Sequence, residues 1–369
     1  MMSKLCVINK TAPRYRESIY CALDKAFDCD WYFGETKTDI KEMDVSLLKA
    51  VRYYKFLGNH ETLYWNCVVR NLFSPKYQSY LIFCESRAIS DYFFYGLKRA
   101  LFPKKKLYIW THGLYGKESA IEAKMKLWQY RHADGIFVYS NYCRQLMIEA
   151  GIPSDKIFTI HNSLHYDQQK ALREKMEPSS IYVEHFGNEN PVLVFIGRLT
   201  RVKKLDLLLD AVSSLKKQGE LYNVVLIGDG EDAQHLKSRV ESLGITSQVW
   251  FYGACYDEAV NAELVYNADM CVAPGNVGLT AMHTMVFGTP VITHNDFKWQ
   301  MPEFEAVKEG QTGAFFQRDD VSSLVDTIHR WFEQKRNARE AVRQACYTEI
   351  DTQWNPYFQM GVFSKHIQL

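Results

Sequence analysis

Four apolar runs in the second half of the chain each break at a glycine-bearing loop. Residues 191–196 run into Gly197, residues 222–227 into Gly228-Asp229-Gly230, residues 249–252 into Gly253, and residues 270–273 into Pro274-Gly275. None alternates polar with apolar residues, which marks strands buried on both faces. Between them lie patterns of helical period at 205–217 and 231–243, the second stopped by Gly244. A third, 279–287, is capped by Gly288 and leads to a strand at 290–293. Alternation of this kind calls for a parallel sheet covered on both sides, whose ligands bind beyond the carboxyl ends of the strands. The loops at Gly197-Arg198, Gly228-Asp229-Gly230, Gly253 and 275–279 are therefore expected to converge.

The first half shows the same grammar less cleanly. Apolar runs at 5–8, 30–33, 80–84, 107–110, 135–139 and 157–160 read as strands, with helices at 18–26 and 140–150. Residues 166–190 then lose periodicity, gather charge and carry Pro178 and Gly187. The expectation is an α/β protein of two Rossmann-like domains whose parallel sheets face a central cleft. Its parts are a first domain at 1–165, a linker at 166–190, a second domain at 191–340, and a helical tail at 341–369. Trp354, Tyr357, Phe358 and Phe363 make that tail apolar enough to pack back toward the first domain.

Composition narrows the function. With 369 residues, 47% hydrophobic and 24% charged, the chain has ample core for two domains and no disorder signature. No apolar run approaches the roughly 20 residues of a membrane helix. Lys4, Asn9 and Lys10 interrupt the opening stretch, so no signal peptide is read there and a cytoplasmic protein is expected. The nine cysteines are scattered with no pair within four residues, which excludes zinc-knuckle and redox spacings. His161, His165 and His294 lack ligand spacing, and Asp28-Cys29-Asp30 sits on an expected strand, so no metal is expected.

The net charge of +1 conceals an asymmetry. Residues 1–165 hold 24 Lys and Arg against 16 Asp and Glu, and the remainder 20 against 27. A basic front half points to an anionic partner, either a phosphate-bearing substrate or a membrane surface. Arg14 and Arg16, after the first strand, are expected to meet an acceptor phosphate. Lys104-Lys105-Lys106, with Lys98 and Arg99 beside Leu101 and Phe102, are expected to dock on anionic lipid head groups, making the protein peripheral at a membrane's inner face. No long basic run or aromatic signature accompanies the charge, so nucleic acid is not expected as a partner.

Two loops carry the chemistry. Arg198 follows a strand and Lys203 comes five residues later at the start of a helix. A guanidinium and an ammonium placed so can clamp a diphosphate and stabilise charge as it leaves. Gly278, Leu279 and Thr280 open the helix at 279–287, where unpaired amides can receive phosphate.

Together GRLTRVKKLDLLLDA, VVLIGDGED, VWFYGA, ADMCVAP, GLTAMHTMVFGTPVI and EAVKEGQTG, in that order between Val192 and Gly313, resemble the nucleotide-sugar domain of family 4 retaining glycosyltransferases. LYIWTHGLYGKES, ADGIFVYSNYCRQLM and IFTIHNSL resemble the acceptor side of that family's bacterial surface-polysaccharide members. The resemblance implies the GT-B fold and transfer of a sugar from a nucleoside diphosphate to a glycan or lipid-linked oligosaccharide in capsule or lipopolysaccharide assembly. It implies retention of configuration and no metal or other cofactor. It assigns the diphosphate to Arg198 and Lys203, the phosphate to Gly278, Leu279 and Thr280, and the base to Gly253-Ala254, with Gly197 and Asp229 also at the donor. His112 would face the donor sugar, and Tyr115 and Lys117 the acceptor. One departure stands out: where the family has two glutamates eight positions apart, this chain has Gly275 and His283. His283, Asn276 and Glu305 are the expected substitutes. The rival expectations are a non-catalytic nucleotide-sugar- or glycan-binding subunit with a decayed site, and a nucleotide-sugar epimerase of the same fold.

Overall fold

The computed structural model describes residues 4–35, 41–58, 63–335 and 337–369. The chain divides into two compact units, one formed by Met1–His165 with Asn355–Leu369 and the other by Tyr166–Trp354.

In the first unit a parallel sheet is built from β1 (Lys4–Asn9), β2 (Cys29–Gly34), β3 (Val51–Tyr54), β6 (Tyr77–Phe83), β7 (Lys106–Thr111), β8 (Gly135–Val138) and β9 (Ile157–Thr159). Its order is β3-β2-β1-β6-β7-β8-β9, and β4 (Phe56–Gly58) and β5 (Tyr64–Asn66) form a separate antiparallel pair. Successive residues of one strand feed opposite layers, as the period of two requires. Cys6, Ile8, Tyr80, Ile82, Ile109 and Val138 lie in one core, and Leu5, Val7, Trp31, Leu81, Trp110 and Phe137 in the other. The first core receives side chains from α2 (Ile89–Leu101), α3 (Ala120–His132) and α4 (Asn141–Glu149). The second is covered by α1 (Glu17–Phe27) and by the helix Pro356–His366, whose Phe363 ring lies 4.5 Å from Phe137 and 5.0 Å from Trp110.

The second unit carries α5 (Tyr166–Arg173), α6 (Ile181–Phe186), α7 (Leu205–Lys217), α8 (Ala233–Ser242), α9 (Glu258–Asn267), α10 (Thr280–Met285), α11 (Val321–Lys335) and α12 (Arg339–Gln353). Its strands are β10 (Val192–Ile196), β11 (Asn223–Ile227), β12 (Val249–Gly253), β13 (Met270–Ala273), β14 (Val291–His294) and β15 (Gly313–Phe316), all parallel in the order β12-β11-β10-β13-β14-β15. β10, β11 and β13 are buried along their full length, which explains why no alternation shows in their sequence. In α7, Leu205, Leu208, Leu209, Val212 and Leu215 are buried at helical spacing, so its apolar stripe faces the sheet. The strand order reverses direction between β10 and β13, and that is where such sheets bind ligands.

Three expected boundaries are corrected. Residues 166–190 are not a free linker: α5 and α6 pack within the second unit. The Arg173 guanidinium forks onto Asp351 at 3.1 and 2.7 Å and lies over the Tyr347 ring at 4.2 Å. These helices are anchored by Tyr166, Gln169, Arg173 and Tyr182 rather than by aliphatic residues, so hydrophobic periodicity does not reveal them. The second unit accordingly runs from Tyr166 to Trp354, not 191–340. The expected tail also splits, because α12 stays with the second unit and only Asn355 onward joins the first. Asn355 restarts the helix: its side-chain oxygen accepts from the Phe358 amide at 2.9 Å, and Pro356 takes the first helical position.

Candidate active site

In the second unit the glycine loops do converge, and backbone is in contact with backbone. The Gly197 amide donates to Ile227 O at 2.9 Å, and the Gly228 amide to Gly253 O at 2.8 Å. A Cβ on Gly228 would lie 1.9 Å from Gly197 O, and one on Gly230 2.3 Å from Leu199 O. A Cβ on Gly275 would lie 2.0 Å from Val202 O. Gly197, Gly228, Gly253 and Gly278 all have positive φ, at 147°, 149°, 90° and 54°. Gly228, Gly230 and Gly275 thus let the loops close on one another where a side chain at any of the three would hold them apart. Asp229 lies exposed in the middle loop, its Oδ1 accepting from the Gly230 amide at 2.8 Å, and Ala254 is exposed after β12.

Lys203 sits over this junction. Its Nζ donates to Asn276 O at 2.7 Å and to Asn276 Oδ1 at 2.9 Å, which occupies two of its three hydrogens. Burial pulls the amine down from 10.5 to about 8, with Arg198 adding to the fall and Glu303 opposing it. Arg198 is exposed, and among the described residues it makes no hydrogen bond or ion pair. Thr280 is placed to contribute through its backbone alone, since its hydroxyl donates to Ile196 O at 2.8 Å. Asn276 Oδ1 is engaged by Lys203, so of its side chain the amide nitrogen remains for a ligand. His283 is half-buried on α10.

The stretch after β14 supplies what sequence reasoning missed. Gln300 is buried and braces the phosphate-side loop: Oε1 accepts from the Val277 amide at 2.9 Å, and Nε2 donates to Thr293 Oγ1 at 2.8 Å and His294 O at 3.0 Å. Glu303, only 1% exposed, is the carboxylate whose charge acts on Lys203. The expected substitute, Glu305, is half-buried, and its carbonyl accepts from Lys308 Nζ at 2.7 Å. The available signal was a carboxylate two residues earlier in the same irregular segment, with no periodicity to choose between them.

In the first unit the expected residues belong to a different kind of cluster. Arg14 is exposed, but Arg16 is buried, which corrects its reading as a loop cation reaching outward. Its Nη2 donates to Tyr139 Oη at 2.5 Å and its Nη1 to Tyr20 Oη at 3.4 Å, with the Phe83, Trp110 and Tyr139 rings 4.8, 5.4 and 5.7 Å away. Aromatic faces accommodate the cation in place of a carboxylate. Nε of Arg16 and Nδ1 of His112 are both buried and have no hydrogen-bond partner among the described residues. Burial lowers the His112 imidazole from 6.5 to about 3, with the charges of Arg16 and Lys126 adding to the effect, so at neutral pH the ring is uncharged. Its ring lies 4.7 Å from Tyr139 and 6.2 Å from Tyr115.

The loop after His112 is organised by Glu118. Its carboxylate accepts from the amides of Tyr115, Gly116 and Lys117 at 2.8, 3.0 and 3.2 Å and pairs with Lys126 at 3.0 Å. Burial alone would raise this carboxyl, but the Tyr115 amide and Lys126 hold it below its ordinary value. Lys117 lies exposed with Nζ 5.1 Å from the Tyr115 ring. The Asp28-Cys29-Asp30 stretch is engaged elsewhere, since Asp30 is buried against Lys76 and Tyr77.

Residues 180–348 match the family model for glycosyl transferases group 1. Over 338 residues the chain is 24% identical to an uncharacterized 41.2 kDa protein in the cps region of Klebsiella pneumoniae, covering 88% of this chain and 83% of that one. It is 30% identical over 184 residues to mannosylfructose-phosphate synthase of Agrobacterium fabrum, covering 46% of this chain but only 39% of the synthase. In fold it is similar to Anabaena Alr3699/HepE in complex with UDP, with a TM-score of 0.75 at 15% identity over 98% of this chain and 99% of that one. The apo form of the lipopolysaccharide outer core galactosyltransferase WaaB aligns with a TM-score of 0.72, again at 15% identity over 98% and 99%.

Proposed function

We propose that this chain is a glycosyltransferase that moves a hexose from a nucleoside-diphosphate sugar to a glycan acceptor, a reading supported by the match of residues 180–348 to the glycosyl transferases group 1 model and by the GT-B fold. The acceptor is lipid-linked, the transfer retains anomeric configuration, and the pathway is capsule or lipopolysaccharide assembly at the cytoplasmic side of a membrane. The capsule-region relative and the lipopolysaccharide galactosyltransferase of like fold support the setting. The UDP held by Alr3699/HepE supports the class of donor.

The observation that carries the reading is the mount of Lys203. An amine held by Asn276 with one hydrogen to spare, beside an unpaired Arg198 and the start of α10, is suited to an anionic diphosphate. In the proposed step the bond from the anomeric carbon to the diphosphate oxygen breaks as the acceptor oxygen bonds on the same face. The acceptor's proton passes to the departing phosphate oxygen. Lys203 and Arg198 stabilise the charge that develops there without a metal. Neutral His112 orients the sugar, and Tyr115, Lys117 and Arg14 belong to the acceptor side. Glu303 keeps Lys203 protonated, and His283 and the Asn276 amide stand where the family's glutamates would reach the donor.

Thermal-shift titration with UDP, GDP, CDP and dTDP, each with and without EDTA, tests the donor site. One nucleotide should raise the melting temperature equally in both. Product anomeric configuration by proton NMR tests retention. Failure of every nucleotide to bind would remove the reading.

A further inference from the structure

We propose that the outward face of α2, with the segments flanking it, docks on an anionic lipid surface. This names a membrane-facing surface that uses no residue of the donor site, so the two readings fail separately.

α2 is apolar on both sides. Its inner side buries Phe94, Tyr95 and Lys98, with Leu97 packed against the same core, while Ile89, Phe93, Gly96, Ala100 and Leu101 recur at helical spacing along the outer side. Phe93 is 54% and Leu101 56% exposed. The stripe continues onto neighbouring segments. The Trp65 ring of β5 lies 5.2 Å from Phe93, and Phe73, 57% exposed at the end of the 3-10 helix Cys67–Phe73, lies 5.4 Å from Phe102. Isolated exposed apolar residues need no explanation, but a continuous aromatic and aliphatic stripe does.

Charge chooses the occupant. Between residues 63 and 106 the exposed charged residues are Arg70, Lys76, Arg87, Arg99 and Lys104, all cationic, of which Lys76 is paired with Asp30. The two acids of that stretch are engaged: Glu85 accepts from Tyr64 Oη at 2.9 Å and pairs with Lys10 at 3.6 Å, and Asp91 is 3% exposed. An apolar stripe flanked by an excess of exposed cations suits the boundary between acyl chains and anionic head groups. It suits a second copy poorly, because a twofold contact would set the cationic rim against itself. The basic residues involved differ from those expected from sequence. Lys98 is spent on Asp134 at 2.6 Å, and Lys105 donates to Leu72 O at 2.8 Å and Ser74 O at 2.7 Å.

Vesicle flotation with the full chain tests the surface, using phosphatidylcholine alone and phosphatidylcholine mixed with phosphatidylglycerol. Wild type should float with the anionic vesicles only. Phe93→Asp with Leu101→Asp should abolish flotation, and Arg99→Gln with Lys104→Gln should lower the partition coefficient roughly 25-fold. Circular dichroism melts identify any variant that fails to fold, and the second pair, which leaves the apolar stripe intact, provides a separate test. No flotation of wild type, equal flotation with neutral vesicles, or flotation indifferent to both pairs would overturn the proposal. So would a concentration-dependent dimer in sedimentation that Phe93→Asp dissolves.

Discussion

The two candidate pockets are built from different materials. In the second unit the walls are main chain: Gly228, Gly230 and Gly275 each put the place of a Cβ within 2.3 Å of a carbonyl oxygen. In the first unit the walls are side chains, with Arg16 among Phe83, Trp110 and Tyr139 and His112 against Tyr139. Even the close approach there is to a side-chain atom, since a Cβ on Gly113 would lie 2.0 Å from Cys143 Sγ. A main-chain pocket admits almost no substitution but holds its shape whatever the charges do. A side-chain pocket tolerates exchange, and its chemistry moves with each charge altered.

The largest expected effect tests the main-chain half of that contrast. Gly228→Ala must displace Gly197 O and adopt a φ of 149°, and should destabilise the protein by on the order of 3 kcal/mol. Gly253→Ala, at a φ of 90° with nothing within 4 Å of the added carbon, should cost only about 1 kcal/mol. Urea denaturation of both measures the difference, and equal losses would mean that the loops do not depend on close backbone approach.

Next in size is Lys203→Ala, which should lower kcat/KM by roughly 100- to 1000-fold with little change in melting temperature. Unchanged turnover would show that Lys203 takes no part in charge stabilisation.

The titration of the same amine gives a smaller and more particular signal. Nucleoside diphosphate affinity should fall as pH rises through about 8, where Lys203 loses its proton in the ligand-free protein. Its contribution to stability has the opposite slope. Between about 8 and 10.5 the unfolded chain holds the proton that the folded one has released, so unfolding free energy rises with pH over that window. Calorimetric binding and urea midpoints at matched pH would separate the two trends; parallel trends would place the titration elsewhere.

The smallest effect belongs to the side-chain pocket. Arg16→Leu removes a buried cation that no carboxylate pairs among the described residues, so stability should hold or rise by about 1 kcal/mol. The His112 imidazole should titrate higher once that neighbouring charge is gone, although burial keeps it below the ordinary range. A proton NMR titration of His112 reads this directly, and no movement would uncouple the two residues.

The same contrast decides what could be read from the chain. A glycine directly after a largely apolar run has one dominant explanation, so the meeting of the loops at Gly197, Gly228 and Gly253 was legible. The positions of Lys203 and Gly278 followed from it. Arg16 was not legible, because an arginine in a loop is ordinarily solvated and its burial depends on rings from three distant segments. Nor were Gln300 and Glu303, which sit at the end of one short 3-10 turn and in the next, where no long period distinguishes one polar residue from another. The helices α5 and α6 escaped for a related reason: they hold on by tyrosine, glutamine and arginine. Fold class lives in local pattern, whereas these contacts exist only once remote segments have met.

The return of residues Asn355–Leu369 to the first unit has a consequence in time. Synthesis delivers Tyr166–Trp354 as one unbroken piece, able to close its own sheet as soon as it emerges. The first unit, although begun earlier, cannot seal Trp110 and Phe137 until Phe363 arrives, nor satisfy Ser163 until Gln359 does. The half that is translated first is thus the half that finishes last, with an aromatic layer left open while the other half is made.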